Sequence, residues 1–126
     1  MGLVTVDARN DILSFNLPEI DNIYVNIIPT DAVDTTTTND MLITEVTMKN
    51  DAHGNDDFNA IIQTIEVQLF YSSVEDYTDN IEDFEIRLMK LMGKKDWLTT
   101  RTDPHLIDPS TQQTVKLFYF ERVRYL

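Results

Sequence analysis

Apolar side chains recur along this chain with two different periods, and the places where the period changes divide it into seven elements. From Val6 to Leu17 they fall at Ala8, Ile12, Leu13 and Phe15, with Asp7 as a candidate N-cap. This predicts a short helix ended by Pro18, because the residue before a proline is driven out of the right-handed helical region. Ile23 to Ile28 is rich in β-branched residues and bounded by Asp21-Asn22 and Pro29, which predicts a strand. Met41 to Met48 predicts a second strand. Between them, Thr30 to Asp40 is rich in Asp, Thr and Asn and has no apolar period, so it is expected to be a mobile loop. Asn50 to Asn59 is expected to be another loop, polar and acidic.

Ile61 to Tyr71 alternates most clearly. Ile61, Ile65, Val67, Leu69 and Tyr71 point one way and Thr64, Glu66 and Gln68 the other, as in a sheet with one buried face. From Asp79 to Met92 the period changes to that of a helix: Ile81, Phe84, Leu88, Leu91 and Met92 form one stripe. Asp79 and Glu82 have capping-box spacing, acidic residues crowd the helix start, and Gly93 is placed to be the C′ residue. Trp97 to Ile107 is expected to be a strand with Pro104 at an edge or bend. Asp108 to Thr111 has a type I turn signature. Thr114 to Tyr125 is expected to be the closing strand. Its inner face is either Val115, Leu117, Tyr119 and Val123, or Phe118 and Phe120. The order α-β-β-β-α-β-β predicts an α+β fold, a mostly antiparallel sheet of four to five strands with helices on one face.

At 126 residues the chain suits a single domain over residues 1–126, and 42 % hydrophobic content is enough for a core. The formal charge is −12 and its distribution is uneven. Residues 1–83 hold 17 acidic and 2 basic side chains, a net −15, whereas residues 84–126 hold 5 acidic and 8 basic ones, a net +3. This disfavours a generic grip on DNA phosphates, and the polarity favours head-to-tail association between copies. The absence of cysteine excludes disulfides, thiol catalysis and thiolate zinc sites. No apolar run approaches the roughly 18–20 residues of a membrane span, and Met1 to Leu13 shows no signal-peptide pattern.

Candidate chemistry is sparse. His53 and His105 lie in separate segments and read most simply as solvated loop residues. Asp51, Asn55, Asp56 and Asp57 invite a calcium reading but lack the EF-hand pattern, so a solvated loop is the simpler account. Glu75, Asp76, Asp79, Glu82 and Asp83 include carboxylates already explained by a helix start. Trp97 beside Lys94 and Lys95 reads as a core residue rather than a base-stacking platform. The closing strand stands out, because apolar residues on both its faces imply either a central strand covered on both sides or contact with another subunit. Phe118, Phe120, Arg122 and Arg124 are therefore the candidate interface. Asp34, Thr36, Asp40, Asp51, His53 and Asp57 are the candidate partner-binding positions in the loops.

Ile65 to Tyr71, an acidic linker, the helix Phe84 to Lys90, Trp97, His105 to Pro109 and Phe118 to Phe120 follow one another in an arrangement that resembles the tail terminator, or tail-completion, proteins of long-tailed phages. The resemblance covers residues 20–126. It implies a non-enzymatic virion protein of the tail or neck, made in the host cytoplasm, with no cofactor, metal or catalytic residues. It also implies a homo-oligomeric ring, typically of six subunits, that stops the tail tube and meets a head completion or connector protein. DNA would pass through such a ring without sequence-specific binding. Two other neck-type or intracellular readings compete: another small head–tail connector, or an acidic binding protein that mimics DNA. A third, a small hydrolase built on Asp51, His53 and Asp57, needs residues that have a simpler explanation as a polar loop.

Overall fold

The computed structural model of the chain describes residues 3–28, 38–50, 60–72 and 81–125. Its elements are α1 (Val4–Ser14), β1 (Asn22–Val25), β2 (Asp40–Asn50), β3 (Ala60–Phe70), α2 (Ile81–Lys94), β4 (Leu98–Thr102), β5 (Leu106–Ile107) and β6 (Thr114–Tyr125). The fold is α+β, and the predicted element order holds. The sixth strand arises because the expected Trp97–Ile107 strand is interrupted at Asp103–His105, around Pro104, and continues as β5. Both pieces pair with β6, β4 opposite Phe118–Glu121 and β5 opposite Thr114–Val115.

The sheet order is β1-β2-β3-β6-β4, with β5 also on β6. All pairs are antiparallel except β1 with β2. The 14 residues between β1 and β2 in the sequence are enough for the crossover that a parallel pair requires. β3 and β6 form the centre, paired without interruption from Ala60↔Tyr125 to Phe70↔Val115. Directly opposed residues in such a pair share a face. Ile65↔Phe120 and Val67↔Phe118 therefore place both phenylalanines on the inner face and resolve the ambiguity of β6. Val115, Leu117, Tyr119 and Val123 lie on the outer face.

Both helices cover the inner face. One core cluster joins Val4, Ala8 and Ile12 of α1 to Phe84, Leu88 and Met92 of α2, with Met41, Ile43, Ile65, Val67, Leu69, Phe118 and Phe120 from the strands. Among the described residues no helix lies on the outer face. Cross-strand polar pairing occupies its centre. Tyr119 bonds Glu66, which pushes its phenol above the usual tyrosine range, and the Arg101 guanidinium sits 5.2 Å from the Tyr119 ring.

The helix ends depart from expectation for identifiable reasons. α1 begins three residues before Asp7, with Leu3 as an N-cap that makes no side-chain bond. The Asp7 carboxylate is instead 2.9 Å from Arg122 Nη2. α1 also stops at Ser14, before the expected Leu17; Asn16 follows in the left-handed region at φ 53°. At the end of α2 the C′ residue is Asp96, at φ 69°, not Gly93. The Trp97 N–H bonds the Met92 carbonyl and the Asp96 N–H bonds the Gly93 carbonyl, both at 3.0–3.1 Å, which is the Schellman pattern. The motif places Trp97 and Met92 together, both fully buried, and this contact outweighs the strain of a non-glycine C′ residue. Gly93 is left inside the helix, where an added Cβ would meet nothing within 4 Å. Gly93→Ala is thus expected to raise subunit stability by about 0.5–1 kcal/mol, read as a higher urea midpoint at unchanged slope.

Candidate oligomer interface

The four interface candidates of β6 divide into two pairs. Phe118 and Phe120 are fully buried within one subunit, their rings 5.8 Å apart and nearly parallel. They are core residues, and their placement at an exposed subunit contact is corrected. β6 is central in the sheet, with its inner face covered by the helices and no helix on its outer face among the described residues. Arg122 is largely covered as well: its guanidinium lies 4.5 Å from the Trp97 ring centroid, Nη2 reaches Asp7 and Nε donates to Gln63 Oε1 at 3.0 Å. Trp97, expected in the core, is there, and its indole N–H donates to Asp11 Oδ2 at 3.0 Å. Arg124 differs from the other three. It is half-buried and lines a hollow at the end of the sheet with Asp7, Lys95, Asp96, Arg122 and Tyr125, but has no bond like those that hold Arg122.

Of the loop candidates, Asp40 is corrected: it opens β2 and is fully buried. Its Oδ1 accepts from Asn22 Nδ2 at 2.9 Å and from Thr38 Oγ at 3.0 Å. These bonds tie β1 to β2, so Asp40 holds the sheet edge together instead of serving a mobile loop. Asp34, Thr36, Asp51, His53 and Asp57 lie outside the described residues, as do Glu75, Asp76 and Asp79.

A buried polar cluster escaped the sequence reading. Glu85 is 5 % exposed on the inner side of α2. It accepts from the Tyr71 hydroxyl at 2.6 Å, and His105 Nε2 lies 2.9 and 3.0 Å from its two oxygens. The visible signal was the position of Glu85 itself, four residues after Ile81 and three before Leu88, a carboxylate inside an apolar stripe. Such a group needs partners when buried. Tyr71 comes from the end of β3 and His105 from the β4–β5 break, so the cluster clasps three elements. Burial first, and the Glu85 hydrogen bond and charge next, push the Tyr71 phenol far above its ordinary range. His105, read above as a solvated loop residue, is exposed in the break between β4 and β5 and also reaches the Glu85 carboxylate. Among the described residues no group of three or more His, Asp or Glu side chains is arranged to hold a metal. No helix among them is long and apolar enough to cross a membrane.

What the surface does offer is exposed apolar area at both ends of β6. Leu98 and Tyr125 stand out at 64 % and 80 % exposure beside the Arg124 hollow, and Leu106 and Ile107 at 61 % and 67 % at the opposite end. A family model described as a protein of unknown function, DUF806, matches residues 5–124. The chain belongs to that family. The DUF806 match runs from the second residue of α1 to Arg124 and so takes in all of the elements except Val4 and Tyr125. No curated protein matches the chain.

These placements set the expected response of this DUF806 chain to substitution. Phe120→Ala is expected to cost the isolated subunit about 3–5 kcal/mol, whereas Tyr125→Ala changes it by no more than about 0.5 kcal/mol, both read by urea unfolding. Tyr71→Phe is expected to cost about 1.5–3 kcal/mol by removing a hydrogen bond to a charged acceptor. Because folding raises the Tyr71 pKa, its contribution is complete below the ordinary value near 10 and is lost as pH rises above it. The wild-type urea midpoint should therefore fall more steeply than that of Tyr71→Phe as pH is raised from about 9 to about 11.

Proposed function

We propose that this protein is a non-enzymatic structural component of a long-tailed phage that assembles into a ring, typically of six copies, ends the tail tube and offers the surface to which the head joins. The observation that carries this reading is the distribution of surface on the subunit. The polar clusters serve as internal clasps: Asp7–Arg122, Asp11–Trp97, Asp40–Asn22 and Glu85–Tyr71–His105 each join two or more elements. Exposed apolar side chains, by contrast, stand at both ends of β6, with Leu98 and Tyr125 at one end and Leu106 and Ile107 at the other, and also at Leu3, Ile27 and Met48. A subunit of this kind is built for repetition. The resemblance of residues 20–126 to tail terminators names the setting, and the α+β fold is consistent with it.

The acidic balance suits the same role. A ring through which DNA passes works best with a lining that does not bind phosphates, and like charges repel over about 8 Å at physiological salt. A DNA mimic would draw on the same charge, but it has no use for opposed apolar ends.

The test is to mix the purified protein with tail tubes and image the tube ends by electron microscopy. Ring density at one end of each tube is the expected outcome, and bare tubes would overturn the reading. Density on isolated head connectors, with bare tubes, would assign the protein to the neck rather than to tail termination.

A further inference from the structure

We draw no further inference here: the strongest candidate, the apolar groove between α1 and the edge strand β1 lined by Ile12, Leu13, Leu17, Ile20 and Ile23, carries nothing because no feature of the structure shows what covers it.

Discussion

Four elements meet at Trp97, and the position of each depends on how that side chain is held. Its backbone N–H closes α2 on the Met92 carbonyl, its indole N–H reaches Asp11 on α1, and the Arg122 guanidinium of β6 covers its ring. The next residue begins β4. Arg122 extends the knot to Asp7, a turn before Asp11 on α1 and on the same side of the helix. α1 has weak ends of its own, without a side-chain N-cap, so its attachment to the sheet rests on these two carboxylates and on Val4, Ala8 and Ile12. Removing Trp97 would open the largest fully buried volume in the chain and leave Arg122 and Asp11 with fewer partners at the same time.

The Glu85 clasp does at the other end of α2 what Trp97 does at its C-terminal end. Each fixes one end of the same helix to the sheet, one by an aromatic core residue and the other by a buried carboxylate with two donors. The helix is therefore held rigid along its length, and with it the separation between Glu82 and Lys95.

Much of the architecture was legible because β3 and α2 carry unmixed periods. Ile61 to Tyr71 alternates cleanly, and the burial follows it; Gln63 joins the inner face because Arg122 needs an acceptor there. The bounds of β6 were equally readable, but its orientation was not. Apolar residues at Leu117, Phe118, Tyr119 and Phe120 satisfy either face, and only the register with β3 decides between them. The same ambiguity made Phe118 and Phe120 look like an interface. Gly93 was favoured at the end of α2 by intrinsic preference, whereas the need to bury Trp97 moved the C′ position to Asp96. Partners far apart in sequence, such as Asp11 with Trp97 or Glu85 with His105, left no local trace. The exposed apolar ends were visible as residues but not as a pattern, because Leu98, Leu106 and Tyr125 become neighbours or opposites only when β4 and β5 dock on β6.

The break between β4 and β5 also governs what the sheet cannot do. A free strand edge is an open template for further pairing, and long, flat edges lead to uncontrolled aggregation. Here the edge is short, its register shifts between Thr99 and Arg101, and Thr100 turns its hydroxyl back onto the Tyr119 carbonyl. Beyond it Pro104 has no N–H to donate, and the Lys116 amine occupies the Asp103 carbonyl. An incoming strand therefore finds neither a straight path nor a continuous row of donors. The irregularity that splits one strand into two acts as a guard against fibril-like growth along this edge of the sheet.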